Sequence, residues 1–298
     1  MPDALSARRP SIAQTLALAA GQLERAGVGH GQREATSLWA AVAGVARGEV
    51  WLRRDDAPAE AVAAHFWEAV QRRSSGVPFA YAVGRVAFRR LELRLDPRAL
   101  IPRPETEGLV ELVLQEAGMR DAGCGMRGMV ADIGTGCGCI ALSLAVEGKF
   151  DRVLAVESSP GAAQLARENV ARIRPPTPVE VREGDLLGPL AGARFWAIVA
   201  NPPYLTTAEY AALDPAVREF EPREALESGA DGLDATRALL AGAAPLLEPG
   251  GLLALELDER RTDRVRALAR EHGWSRALIH DDLFGRPRYA LLFATEDA

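Results

Sequence analysis

Two rhythms of apolar residues divide the chain. Over residues 11–75 apolar positions recur at helical spacing. Ile12, Leu16, Ala19 and Leu23 form one face of a helix that Ser11 can cap and that Gly27 and Gly29 end. A second helix is expected from Glu34 to Ala46. A third begins near Pro58, a residue suited to a first helical turn, and carries Val62, Phe66 and Val70 on one side. Gly76-Val77-Pro78 interrupts this pattern. Val86 and Phe88, then Leu91, Leu93 and Leu95, alternate with Arg and Glu, the period-two signature of a β-hairpin.

From residue 104 helices and strands alternate. A helix over 104–118 opens on Pro104-Glu105-Thr106-Glu107, an acidic first turn matched to the helix dipole. Strands are expected at 129–133, 152–156, 178–182, 195–200, 251–257, 275–280 and 288–294, and helices at 139–147, 160–172, 233–246 and 260–272. That order predicts an α/β fold: a mostly parallel sheet covered by helices on both faces. The last two strands have no helix between them and are expected to form an antiparallel edge. The organisation is then a helical domain over 1–76, a hairpin linker over 77–103 and an α/β domain over 104–298. A chain of 298 residues is long enough for two unequal domains.

The strongest chemical signal follows the apolar run Phe195-Trp196-Ala197-Ile198-Val199-Ala200. It is Asn201-Pro202-Pro203-Tyr204. The two prolines fix their own φ and restrict the residue before them, so the loop cannot relax into a helix. They offer no N–H, which leaves their carbonyls as pure acceptors. A stiff corner of one amide, one carbonyl and one ring suits a small planar group ending in –NH2, whose two hydrogens need two acceptors. An amide nitrogen is a poor nucleophile because its lone pair is delocalised. With the Asn201 side-chain oxygen and the Pro202 carbonyl accepting its hydrogens, that lone pair can be aimed at an electrophilic methyl group. Tyr204 would stack on the planar group and tolerate developing positive charge. No His or carboxylate lies in the motif, so catalysis would rest on orientation.

Three further signals occur at expected strand ends, where open α/β sheets bind ligands. Asp132-Ile133-Gly134-Thr135-Gly136-Cys137-Gly138 has glycines at alternate positions, which let backbone pass close to a ligand and turn into a helix N-terminus. Its spacing differs from the dinucleotide fingerprint and resembles the S-adenosylmethionine loop of class I methyltransferases. Glu157 ends the next strand, about where an acid reaches ribose hydroxyls. Asp185 and Leu186 end the third, beside the expected adenine position. Each alone could be an ordinary turn; their convergence favours a cofactor site.

Composition narrows the classes. Hydrophobic residues make up 48% and charged residues 26% of the chain, as in soluble globular proteins. No apolar run approaches the roughly 20 residues of a membrane span. Met1-Pro2-Asp3-Ala4 lacks the basic-then-apolar pattern of a signal peptide. Cys124, Cys137 and Cys139 are an odd set without paired spacing, so a reducing cytoplasmic setting is expected. Residues 1–90 carry 12 arginines against 8 acidic residues, a net +4, which leaves −10 of the total −6 on the rest. Lys149 is the single lysine. The acidic second part argues against a large duplex-DNA footprint. Arg53-Arg54 and Arg89-Arg90 are expected to be solvated, and Trp39, Trp51, Phe66 and Trp67 to be core. His30, His65, His272 and His280 are scattered without metal spacing, and no metal is expected. Cys137 and Cys139 read as small packers.

Together these segments resemble the PrmC/HemK family of glutamine-N5 methyltransferases, from about Glu34 to Phe293. Arg73-Ser74-Ser75-Gly76-Val77-Pro78 and Tyr81 are similar to the end of its helical domain, and Ile101-Pro102-Arg103-Pro104-Glu105-Thr106-Glu107 to its linker. Gly134 to Gly138, Glu157 and Asn201 to Tyr204 match its cofactor and glutamine sites. Glu221-Pro222-Arg223-Glu224-Ala225-Leu226, Gly229-Ala230-Asp231-Gly232-Leu233 and Asp282-Leu283-Phe284-Gly285-Arg286-Pro287-Arg288 resemble later segments. The resemblance implies a class I S-adenosylmethionine-dependent methyltransferase with a Rossmann-like seven-stranded sheet, a helical N-terminal domain and a β-hairpin linker. It implies methyl transfer from S-adenosylmethionine to the glutamine of the Gly-Gly-Gln motif in class I peptide-chain release factors, modulating translation termination. The first domain would help hold the release factor. Cofactor contacts would come from Asp132, Gly134, Thr135, Gly136, Cys137, Gly138, Glu157, Asp185, Leu186 and Asn201. Catalysis would use Asn201, Pro202 and Tyr204, with Pro203 also lining the substrate site. A monomer in the cytoplasm, with neither membrane nor direct DNA binding, is expected.

Two departures stand out. Glu157 occupies a place where Asp is commoner, and Asp258 a place the family usually gives to Gly, where a carboxylate would reshape the rim near the cofactor. Asn-Pro-Pro-Tyr is also shared with enzymes that methylate DNA adenine or RNA guanine, and a sister group acts on a ribosomal-protein glutamine. A nucleic-acid enzyme would want a basic groove or a target-recognition insert, and neither is clear. A non-catalytic adaptor would have no need of two acceptors at that corner.

Overall fold

The computed structural model describes residues 9–121 and 128–295; the opening Met1-Pro2-Asp3-Ala4 and Cys124 lie outside the described residues. The chain divides into two compact units between Gly84 and Arg85.

In the first unit, α1 (Ile12–Arg25) starts in a capping box. The Ser11 hydroxyl accepts from Gln14 N, and Gln14 Oε1 accepts from Ser11 N at 2.9 Å. Next come α2 (Gly31–Ala43), α3 (Arg47–Leu52), α4 (Glu60–Ser74) and α5 (Phe79–Val83). Leu16, Leu23, Leu38, Phe66 and Val70 are buried together, and Trp39 meets Phe66 edge-on at 4.9 Å. The helix expected over 34–46 is α2, which lies three residues earlier, and a separate short helix, α3, follows it. Gly44 at φ 68° ends α2, and Glu49 accepts from Ala46 N at 2.8 Å to start α3. On that short helix Trp51 is 64% exposed, stacked under the Arg54 guanidinium, so it is not core.

In the second unit, β1 (Arg85–Phe88) and β2 (Leu91–Arg94) form the expected antiparallel ribbon. It lies wholly in this unit, and α5 lies in the first. Its tip corrects the reading of Arg89 as solvated. Only 14% of that side chain is exposed; it donates to Glu147 at 2.7 and 2.9 Å and to Glu111 at 2.8 Å. Its neighbour Arg90 is 79% exposed. At the other end of the ribbon, fully buried Asn169 accepts from Arg94 N at 2.8 Å and donates to the carbonyls of Arg94 and Cys137.

The chain continues through α6 (Thr106–Asp121), β3 (Met129–Ile133), α7 (Cys139–Glu147), β4 (Arg152–Glu157), α8 (Pro160–Ile173), β5 (Val179–Glu183) and β6 (Phe195–Ala200). Then come α9 (Thr207–Ala211), α10 (Pro215–Phe220), α11 (Asp234–Gly242), β7 (Leu247–Glu256), α12 (Thr262–Glu271), β8 (Arg276–Asp281) and β9 (Pro287–Phe293). Among the described residues these strands form one seven-stranded sheet of order β5-β4-β3-β6-β7-β9-β8. The first five pair in parallel, and β9 runs antiparallel to both its neighbours. The final pair forms the expected antiparallel edge, with β9 beside β7 and β8 outermost. Burial explains the order, because Tyr289-Ala290-Leu291-Leu292 is continuously buried whereas β8 is half exposed. A core of Ile133, Leu154, Ile198, Leu253 and Leu292 runs through the sheet.

Candidate active site

The connection order leaves β3 between β4 and β6, so the loops after these strands separate and open a crevice at their carboxyl ends. A cavity of about 450 Å³ occupies it. That volume is in the range of small-molecule sites.

On one side the cavity is floored by the glycine loop. Gly134, Gly136 and Gly138 have φ of 71°, 57° and 88°, so all three adopt the left-handed conformation that an L side chain resists. None of the described residues lies within 4 Å of where a Gly134 Cβ would stand, which leaves the loop backbone open to a guest. Asp132 braces the loop from beneath. Its Oδ2 accepts from Thr135 Oγ1 at 2.6 Å and from Ala141 N at 3.0 Å, while Oδ1 has no partner among the described residues. Burial pushes its carboxyl up to about 7; the Thr135 and Ala141 hydrogen bonds oppose the rise and the neighbouring Glu157 adds to it. Glu157 accepts from Gly136 N at 2.8 Å and from Ser159 N at 2.9 Å, tying the end of β4 to the loop.

On the other side stands Asn201. Its Nδ2 donates to Thr106 Oγ1 at 3.1 Å. Thr106 is 2% exposed and its hydroxyl acts on the carboxyl of Glu256, itself 1% exposed. The carboxamide nitrogen is thus engaged, and no donor among the described residues engages Oδ1. The corner keeps a side-chain oxygen available as an acceptor, which is the polarity an –NH2 guest needs. Burial pushes the Glu256 carboxyl up to about 7 against the opposing influence of the Thr106 hydroxyl, and its Oε2 has no partner among the described residues. Burial, reinforced by Glu256, also pushes the Tyr204 phenol up to about 12, so it stays neutral.

The segment that brings Thr106 here is held at both flanks. Glu221 accepts from Ile101 N at 3.2 Å and from Arg103 Nη2 at 2.7 Å. The Tyr289 hydroxyl donates to the Glu105 carbonyl at 2.6 Å. Three stretches far apart in sequence are thereby one construction around the mouth of β6.

Of the anticipated site residues, Gly134, Thr135, Gly136, Cys137, Glu157, Asp185, Leu186, Asn201, Pro202 and Pro203 line the cavity. Asp132, Gly138 and Tyr204 are not among its lining residues. Asp132 is fully buried and holds the loop, so it is a support rather than a contact. Gly138 is the N-cap of α7. Asp258 also departs from its expected place on the rim. It is 7% exposed, accepts from Arg260 N at 2.9 Å and pairs with Arg260 and Arg261, away from the cavity lining. Sequence reasoning missed Thr106 and Glu256. The signal was present for Glu256: one carboxylate closing the apolar run Leu252-Leu253-Ala254-Leu255. Thr106 gave none, because its hydroxyl acts on a residue 95 positions away.

Sheet order, glycine loop and proline corner define a class I S-adenosylmethionine-dependent methyltransferase fold joined to a helical N-terminal unit. Two family models match, the PrmC N-terminal domain over residues 14–84 and the methyltransferase small domain over 111–220. The chain belongs to the release factor glutamine methyltransferase family. The protein of that description from Moorella thermoacetica is 40% identical over 288 residues, covering 96% of this chain and all 100% of its own. That from Deinococcus radiodurans is 41% identical over 274 residues, covering 92% and 95%. Solved structures share the fold. A methyltransferase from Pyrococcus furiosus is 20% identical with a TM-score of 0.51, covering 75% of this chain and 98% of that one. The hMettl16 catalytic domain, solved with the MAT2A 3'UTR hairpin 6, is 16% identical with a TM-score of 0.55, covering 80% and 82%.

Proposed function

We propose that the protein transfers a methyl group from S-adenosylmethionine to the side-chain nitrogen of the glutamine in the Gly-Gly-Gln motif of class I peptide-chain release factors. The observation that carries this reading is the Asn201 carboxamide, held by Thr106 with its oxygen left to accept.

The cavity fits the cofactor. The glycine loop offers bare backbone, Ile133, Val156 and Leu186 offer apolar surface, and Glu157 and Asp185 offer acceptors for hydroxyl or amino groups. S-adenosylmethionine supplies an electrophilic methyl carbon on a sulfonium. Every other requirement falls to the protein. The Asn201 oxygen and the Pro202 carbonyl accept the two hydrogens of the incoming amide and turn its lone pair outward. Pro202 and Pro203 keep that corner from relaxing. When the new N–C bond has formed, the nitrogen gives up one proton to solvent and the amide is restored. Orientation of this kind contributes up to roughly 7–11 kcal/mol in well-placed systems. Tyr204 belongs to the substrate side as a neutral ring behind the prolines, and the helical unit contributes to holding the protein substrate. The enzyme is read as a cytoplasmic monomer that does not bind DNA. Among the described residues no helix is long and apolar enough to cross a membrane.

Mass spectrometry of a release factor incubated with enzyme and cofactor tests the reading. A gain of one methyl on the Gly-Gly-Gln glutamine is expected. A mark elsewhere on the factor, or transfer to duplex DNA or RNA in its place, would overturn the substrate assignment.

A further inference from the structure

The geometry points to Thr106 as the positioning residue that sets which way round the Asn201 carboxamide stands. The inference rests on the functional reading above, because it explains how that corner presents an acceptor rather than a donor. The two ends of a carboxamide are nearly equal in size, so packing alone does not choose between them. Something must distinguish nitrogen from oxygen by hydrogen bonding.

Thr106 does so. Its hydroxyl has one hydrogen and two lone pairs. The Thr106 hydroxyl accepts from Asn201 Nδ2 at 3.1 Å, and the buried Glu256 carboxyl beside it draws the hydroxyl hydrogen away, so that a lone pair faces Asn201. Rotating the carboxamide by half a turn would set Oδ1 against that lone pair with no hydrogen between them. At a threonine only 2% exposed, no water replaces the lost partner. Glu256 therefore sets the polarity of Thr106, and Thr106 sets that of Asn201. The threonine stands in the first turn of α6, whose entry is fixed by Tyr289 on the Glu105 carbonyl and by Glu221 on Arg103. This gives the Pro-Glu-Thr-Glu segment a task beyond opening a helix.

Three variants test the inference. Thr106→Val removes the hydroxyl at constant shape, and Thr106→Ser keeps it; Asn201→Ala marks the floor. With release factor as substrate, Thr106→Val is expected to lower kcat about tenfold, with KM for the factor and cofactor affinity changed less than about twofold. Thr106→Ser should recover most of the loss. A second readout needs no substrate. In protein labelled with 15N at asparagine, the Asn201 side-chain protons should give two well-separated, slowly exchanging resonances. These should converge and exchange faster in Thr106→Val and persist in Thr106→Ser. Wild-type kcat in Thr106→Val, equal damage from both threonine variants, or unchanged Asn201 resonances in Thr106→Val would each overturn the proposal. Failure of the wild-type enzyme to methylate release factor would sink the substrate assignment instead, and the resonance test of Thr106 would stand apart from it.

Discussion

Tyr289 reaches across 184 positions of sequence to donate its hydroxyl to the Glu105 carbonyl at 2.6 Å. In the β7/β9 register Tyr289 stands opposite Glu256, so one rung of the sheet carries two groups that act on the start of α6. Gly108 lies against the ring, where a Cβ would overlap the phenol. Gly108→Ala should push Tyr289 off Glu105 and move Thr106 with it. A fall in kcat of at least about tenfold is expected, since displacements near 1 Å are costly in oriented reactions. Turnover at the wild-type level, in a variant shown by its melting curve to be folded, would contradict this coupling.

Asn201→Ala removes the acceptor at the corner. A fall of roughly 10²-fold in kcat is expected, the usual loss for one preorganised electrostatic contact worth about 3 kcal/mol. Initial-rate measurements at saturating cofactor separate that from weaker cofactor binding. Unchanged turnover would remove Asn201 from the mechanism.

Asp258→Gly removes a carboxylate held away from the cavity lining. The carboxylate caps Arg260 N and pairs with Arg261, whose side chain is 10% exposed. Stability should fall by about 1–2 kcal/mol while kcat holds, because Asp258 does not line the cavity. Equilibrium unfolding alongside steady-state kinetics checks both halves. Altered turnover without altered stability would return Asp258 to the rim.

Asp132 makes stability depend on pH. Burial raises its carboxyl from 3.8 to about 7, so the fold favours the protonated form. Its contribution is complete below about pH 3.8 and is lost as pH rises through about 7. Glu256 is displaced in the same direction, so the comparison must be between proteins and not between pH values alone. Asp132→Asn should lose less stability than its parent between about pH 5 and about pH 8, measured by urea unfolding. Parallel profiles for the two proteins would show that Asp132 does not titrate in that interval.

Much of this was readable in one dimension. Val153-Leu154-Ala155-Val156 and Phe195 to Ala200 are apolar runs with sharp ends, and buried parallel strands leave that trace. The alternating glycines were legible because each occupies a backbone conformation that other residues resist. What escaped depended on neighbours distant in sequence. Periodicity predicts β9 but not that it slips between β7 and β8, since pairing order follows from which strand is more completely apolar. The ribbon-tip arginine looked like any surface charge until Glu111 and Glu147 met it. Thr106 read as a helix opener because nothing local reveals the asparagine it holds. Trp51 escaped because a large ring usually means core, whereas α3 turns its neighbour Val50 inward and leaves the ring outside.

Asn169 bears on how the second unit moves. A lone two-stranded ribbon is only marginally stable in water, yet this side chain grips Arg94 by both backbone groups and Cys137 by its carbonyl. The ribbon should therefore not fray as an independent flap. Its root and the glycine loop share a fastening, and their amides should exchange with deuterium as one cooperative patch.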